Sequence, residues 1–281
     1  MTRSKRKFRH DGFLCGRIAG ILTCLFLITC QPEGNKMPAH LQTTINCGHR
    51  GASGHAPENT LAAIRLAMEM GAQMTEIDVQ QTADDQLVLF HDDSLARTSS
   101  GRGLLWQKNL AELKMLDAGS WFNAQFAGEP LPTLAEAIAL VRGKIKLNIE
   151  VKLHGHERNI AQLVVETIRR EQFEQECIVT SFGFEVADEI KRLAPELSVG
   201  YIFGPREYRE EVFSGNVEVL STHHSLVDAA FVQKARAAGK EVHVWTVNEK
   251  PLMNKLLDLG VNAIITNYPD RLAEVLKSRE N

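Results

Sequence analysis

A (β/α)8 barrel with a small insertion after its second strand is the α/β architecture this 281-residue sequence predicts, on three observations. Short β-rich runs alternate with amphipathic helical stretches over about 235 residues, the size of such a barrel and the pattern of parallel βαβ units. No Gly-x-Gly-x-x-Gly turn follows the first run, which disfavours the alternative, a doubly wound open sheet. One interval, residues 93–132, breaks the rhythm after the second run.

Residues 1–30 read as an export leader. They hold six bases (Arg3, Lys5, Arg6, Lys7, Arg9, Arg17) and one acid, Asp11, and end in a thirteen-residue apolar run, 18–30. That run is short for a bilayer span and fits a signal-peptide core. Its last four residues, Leu27-Ile28-Thr29-Cys30, resemble the lipobox in which a cysteine is lipidated, with Thr29 where that motif has a smaller residue. Lipidation at Cys30, an uncleaved signal anchor and plain secretion stay open. Each places the body outside the cytoplasmic membrane face, periplasmic or membrane-anchored, so the membrane is an expected partner through the N-terminus alone. Residues 31–44, with Pro32, Gly34 and Pro38, read as a tether.

The body, 45–281, then runs in order. A strand at 45–48 precedes a helix at 60–70, and a strand at 75–80 is followed by a short run at 87–91. Residues 93–132 carry turn residues at 99–103, Gly119, Gly128, Pro130 and Pro132. They also carry Leu104, Leu105, Trp106, Leu110, Leu113, Leu116, Trp121, Phe122 and Phe126, too many apolar groups for a solvated linker. A forty-residue structureless loop is improbable in a compact domain, so this interval reads as a packed lobe. Helix 134–141, strand 146–151, helix 160–170, strand 177–181 and helix 184–193 continue the alternation. Strands 198–202 and 219–222, helix 229–238, strand 241–246, helix 252–259, strand 262–266 and helix 269–277 complete it.

Charge and cysteine count exclude other classes. Removing the leader's six bases and one acid from the chain's 32 and 35 leaves 26 bases against 34 acids. A body this acidic is no general nucleic-acid binder. Cys47 and Cys177 are the body's two cysteines, so no disulfide framework holds it, and both are expected free and buried.

Catalytic groups of a barrel sit at the C-terminal ends of its strands, on side chains that share the period-2 inner face. Glu76 and Asp78 share one such face, as do Glu150 and Lys152. His49-Arg50 ends the first strand and His91-Asp92 ends the short run. Outer faces of a parallel barrel are covered by helices, so a Glu-x-Asp pair must face a site or be paired. Three carboxylates at one mouth repel unless a counter-charge joins them. One hard divalent cation with oxygen ligands, Ca2+ or Mg2+ before Zn2+, suits Glu76, Asp78 and Glu150. His49 and His91 adjoin charged partners and can serve as base and acid, in an order the sequence leaves open. Arg50 offers a planar fork to phosphate oxygens and Lys152 a point charge. His55, His154, His156, His223, His224 and His243 read as structural.

These residues, in this order, carry a family resemblance. His49-Arg50-Gly51, Pro57-Glu58-Asn59-Thr60, Glu76-x-Asp78, His91-Asp92, Leu95-x-Arg97-Thr98 and Glu112-Leu113-x-x-Leu116-Asp117-x-Gly119 are similar to the glycerophosphodiester phosphodiesterase family. Pro132-Thr133-Leu134, Glu150-x-Lys152, Trp245-Thr246-Val247-Asn248 and the stretch from Gly260-Val261 to Pro269 continue the likeness over almost the whole body. The resemblance implies a TIM barrel with a small insertion after its second strand. It implies a divalent metal on Glu76, Asp78 and Glu150, acid–base work by His49 and His91, and phosphate contact by Arg50 and Lys152. Trp245 would line the alcohol side of the pocket, while Asn59 and Thr60 would fix the loop and cap the first helix. Asn267 stands where many members carry Asp and, lying past the last strand, is expected to matter little.

The implied reaction is hydrolysis of a glycerophosphodiester to glycerol 3-phosphate and an alcohol. Two rival expectations stand beside it: lysophospholipids as substrates, and a non-catalytic tethered binder of phosphate ligands.

Overall fold

The computed structural model describes residues 44–280. The expected leader, Cys30 and all of the tether but Thr44 lie outside these residues. Eight parallel strands close into a barrel: β1 (Ile45–His49), β2 (Met74–Gln81), β4 (Lys146–Val151), β5 (Cys177–Ser181), β6 (Ser198–Phe203), β7 (Val219–His223), β8 (Glu241–Trp245) and β9 (Ala263–Thr266). Closure comes from β1, which pairs with both β2 and β9. Such a ring leaves no free edge.

Helices α1 (Leu61–Glu69), α3 (Leu134–Val141), α4 (Ile160–Arg170), α5 (Phe184–Leu193), α6 (Ala229–Ala237), α7 (Lys250–Leu259) and α8 (Pro269–Glu280) follow seven of the strands. The β6–β7 connection instead carries a single 3-10 turn, Glu210–Phe213. Alternation along the strands sorts the core. Outward residues such as Ile77, Val79, Leu147, Ile149 and Val151 pack with Ile64, Leu134, Ile138 and Val164 of the helices. Inward Cys47, Met74, Ile178, Val219 and Ile265 form a separate apolar layer inside the barrel. Cys47 and Cys177 are both free and buried.

The interval 93–132 is a small lobe with its own core. A 3-10 turn (Leu105–Gln107), the one-turn helix α2 (Leu110–Leu113) and a second 3-10 turn (Ala124–Phe126) punctuate it. Leu95, Leu105, Leu113, Ala118 and Leu131 pack there on Val88 and Phe90. Val88 belongs to β3 (Leu87–Leu89), which departs from the expected barrel end because it runs antiparallel to β2 outside the ring. His91 therefore reaches the mouth on the return limb of a hairpin, anchored where Phe90 N donates to Asp78 O at 3.0 Å.

Candidate active site

Three carboxylates meet at the C-terminal end of the barrel. Glu76 and Asp78 on β2 and Glu150 on β4 each offer an oxygen, and these oxygens lie within 4.8 Å of one another. Asp78 and Glu150 stand at the same level because β2 and β4 pair them in register. Glu76 is 3% exposed and Asp78 1% exposed. Among the described residues, Glu76 Oε1 and Asp78 Oδ1 are buried without a hydrogen-bond partner. Buried carboxylate oxygens without a hydrogen bond are costly unless positive charge meets them, and a hard divalent ion with oxygen ligands fits this set.

Titration follows from that crowding. Burial, then the charges of Asp78 and Glu150, pushes Glu76 well above the usual carboxylate range. Burial, then Asp78, raises Glu150 to about 7 against the pull of Lys152. Asp78 goes the other way: burial would raise it, but Arg50 and then Lys152 outweigh burial and hold it at about 2.

Two cations offset part of this negative charge. Lys152 Nζ is 2.7 Å from Glu150 Oε1 and 3.7 Å from Asp78 Oδ1. Arg50 Nε lies 3.0 Å from Asp78 Oδ2, its Nη1 donates to Glu58 Oε1 at 2.8 Å, and its backbone N–H donates to Glu76 Oε2 at 2.9 Å. Arg50 takes the left-handed conformation, φ 54°, to turn both groups inward. Gly51 follows at φ 83°, where a Cβ would sit 2.5 Å from the Ala63 carbonyl carbon. Only glycine fits that approach.

His49 and His91 flank the carboxylates and line the same cavity of about 170 Å³. His49 Nδ1 meets Asn267 Oδ1 at 2.6 Å, and its Nε2 lies 4.0 Å from Glu76 Oε2. Burial, then the Arg50 charge, lowers His49 to about 4. His91 Nδ1 meets Asp92 Oδ1 at 2.7 Å. Burial lowers His91 too, with Arg50 and Lys152 adding to it and Asp78 opposing. Gln80, next on the inward face after Asp78, donates from Nε2 to the carbonyls of Phe90 at 2.8 Å and Asp92 at 2.7 Å. One amide thus grips the backbone on both sides of His91.

The opposite wall is aromatic. Trp245, last residue of β8, and Phe182 pack edge to face with centroids 5.7 Å apart, and Lys152 Nζ lies 5.8 Å from the Phe182 ring centroid. All eight residues expected in the site from the sequence are therefore brought to one mouth, although Asp78 touches the cavity only through its neighbours.

Two expectations need correction. Asn267 is far from idle, since it is the residue bonded to His49. Of the pair expected to fix the loop and cap the first helix, Thr60 is the cap as expected, its Oγ1 accepting from Ala63 N at 3.2 Å, whereas Asn59 instead locks Asp78. Asn59 Nδ2 donates to Asp78 Oδ2 at 2.8 Å and its Oδ1 accepts from Asp78 N at 3.0 Å. Glu58, Gln80, Asp92, Arg97 and Phe182 join the site in the structure although the sequence does not mark them as site residues. The motifs containing Glu58, Asp92 and Arg97 were the available signal for three of them.

Known proteins are similar to this chain in sequence and in fold. The model of the glycerophosphoryl diester phosphodiesterase family matches residues 49–271. A glycerophosphodiester phosphodiesterase of Caldanaerobacter subterraneus subsp. tengcongensis is 34% identical over 241 residues, covering 83% of this chain and 98% of that protein. The solved phosphodiesterase of Oleispira antarctica, in complex with its product sn-glycerol-3-phosphate, is 36% identical with a TM-score of 0.77 over 82% of this chain and 96% of its own. A glycerophosphodiester phosphodiesterase of Agrobacterium tumefaciens is 28% identical with a TM-score of 0.73, covering 82% of this chain and 99% of its own. With the matched span running from His49 to Arg271 and so enclosing the three carboxylates and both histidines, the chain belongs to the glycerophosphoryl diester phosphodiesterase family.

Proposed function

We propose that this protein hydrolyses glycerophosphodiesters to glycerol 3-phosphate and a free alcohol, with Glu76, Asp78 and Glu150 holding one divalent cation, Ca2+ or Mg2+. The observation that carries this reading is the buried carboxylate triad, two of its oxygens without a hydrogen-bond partner, flanked by two differently tethered histidines. The chemistry such a cation supplies is withdrawal of charge from a phosphate oxygen.

The two histidines divide the proton work by their tethers. Asn267 offers His49 a neutral carbonyl, which fixes Nδ1–H and leaves Nε2 as acceptor. A ring held neutral down to about pH 4 suits the base. Asp92 offers His91 a carboxylate, which favours the imidazolium against the burial that lowers this ring and so suits the acid. His49 takes the proton of the attacking oxygen as the new P–O bond forms. His91 gives a proton to the departing alkoxide as the old P–O bond breaks, so one water is consumed overall. Arg50 and Lys152 stabilise the charge that grows on the phosphate oxygens, and Trp245 with Phe182 walls the alcohol side.

The test is glycerol 3-phosphate release from glycerophosphocholine and glycerophosphoethanolamine, with EDTA and then Ca2+ or Mg2+ returned. Release that stops with chelator and resumes with metal supports the reading, and activity that persists in EDTA removes the metal from it. His49→Ala and His91→Ala should each lower turnover at least about a hundredfold with the fold intact.

An apolar rim favours lysophospholipids as a second substrate class. Phe182 and Leu153 are 41% and 39% exposed at the mouth. Turnover of lysophosphatidylcholine above that of glycerophosphocholine would establish it. Export is the proposed location, supported by the basic-then-apolar leader. Retention of label from radioactive palmitate by the wild type but not by Cys30→Ala would identify lipidation.

A further inference from the structure

Arg97, at the entrance to the lobe, has no part in the chemistry described so far. Its guanidinium grips two carboxylates at once. Nη1 and Nη2 donate to Glu58 Oε2 and Oε1 at 3.0 and 2.8 Å, Nη2 also donates to Asp92 Oδ1 at 2.9 Å, and Nε donates to Asp92 Oδ2. Each carboxylate passes the grip on to the site. Asp92 Oδ1 accepts from His91 Nδ1 at 2.7 Å, and Glu58 Oε1 accepts from Arg50 Nη1 at 2.8 Å.

We propose that Arg97 is a positioning residue that sets His91 and Arg50 relative to each other through Asp92 and Glu58, an inference that rests on the acid–base reading of His91. The two groups arrive from separate places, Arg50 just past β1 and His91 on the return limb behind β3. Strand pairing fixes the end of β1 against β2 at His49 and Glu76, while β3 stops at Leu89, two residues short of His91. Beyond those ladders the side chains need another frame, and Arg97 supplies one. A carboxylate has no proton to donate, so Asp92 compels His91 Nδ1 to carry the hydrogen and leaves Nε2 for proton transfer. The Arg97 hydrogen bonds also keep Asp92 well below the usual carboxylate range, and so ionised. Lysine cannot substitute, because four parallel contacts to two carboxylates need the planar fork. The Arg97 side chain is 46% exposed, so its place is open to a small cation from solvent.

The experiment measures kcat and KM for metal-loaded Arg97→Ala, Arg97→Lys and His91→Ala on glycerophosphocholine, with thermal melts and with millimolar guanidinium, methylammonium or NaCl added. Arg97→Ala and Arg97→Lys should lose about ten- to a hundredfold in kcat, with KM within about twofold of wild type. Guanidinium should restore kcat of Arg97→Ala at least about fivefold, while methylammonium and NaCl should not and His91→Ala should not respond. A raised KM with unchanged kcat would overturn the inference, because Arg97 would then be binding substrate. Lost kcat without guanidinium rescue would also overturn it, leaving a purely structural residue. Should Arg97→Ala fail to fold, the kcat and KM of Arg97→Lys decide alone. Wild-type turnover in Arg97→Ala beside an inactive His91→Ala removes the positioning role and spares the acid. Full activity in His91→Ala removes both.

Discussion

Replacing Asn267 with Asp should move the acid limb of the pH–rate profile upward. In the wild type, burial and Arg50 hold His49 near 4, and the hydrogen bond to the neutral Asn267 oxygen at 2.6 Å opposes them without overcoming them. A carboxylate there places opposite charges about 4 Å apart, worth about 4 kcal/mol at an effective dielectric of about 20. That corresponds to about three pKa units at 1.36 kcal/mol each. Desolvating the new carboxylate takes back part of it, leaving a rise of about one to two units. The sign follows directly: a base is inactive when protonated, so activity is lost as pH falls through the His49 pKa. The wild-type limb should lie near pH 4 and that of Asn267→Asp between about 5 and 6. The assay is kcat/KM for glycerol 3-phosphate release from pH 3.5 to 9, with saturating metal, beside Asn267→Leu as the uncharged control. Asn267→Leu should lower kcat without raising the limb. An Asn267→Asp limb that stays at the wild-type position would refute His49 as the base governed through this contact.

Metal-free protein should lose stability as pH rises from about 4.5 to about 7, because the folded state holds protons on Glu76 and Glu150 that the unfolded chain has released. Added Ca2+ or Mg2+ should therefore raise the melting temperature more at pH 8 than at pH 5, and an equal rise at both would contradict the carboxylate site. Gly51→Ala should cost about 2–5 kcal/mol in urea unfolding, since it combines left-handed strain with a clash against the Ala63 backbone. Near-wild-type stability would show that the turn after β1 can relax. Gln80→Leu should strip donors from the carbonyls flanking His91, costing about 1–3 kcal/mol and about ten- to a hundredfold in kcat. Loss of stability alone, with turnover intact, would show that His91 does not need that grip.

Much of this is legible in the sequence. Strands β4 and β5 and helices α3, α4 and α5 fall on the expected boundaries, because a parallel barrel makes strands continuously apolar and helices amphipathic. Glu76-x-Asp78 and Glu150-x-Lys152 were legible for the same reason, as charged side chains two apart on strands have one inner face to share. His91 lies at the mouth as the sequence leads one to expect, but it arrives from outside the ring. The short run 87–91 has the composition of a barrel strand, but the lobe core built on Val88 and Phe90 draws it out of the ring as a hairpin partner of β2.

By itself, then, the order of residues determined the barrel, its inserted lobe and the seven polar groups that carry the proposed chemistry, since each depends on local period and spacing. The tertiary structure alone decided how those groups are held. Asn267 and His49 are 218 positions apart and meet because β9 pairs with β1 to close the ring. Glu58 and Arg97 are 39 apart and meet because a loop after β1 and the first residues of the lobe converge over β2. Contacts of that kind depend on which chain segments closure brings together, and no spacing along the sequence encodes them.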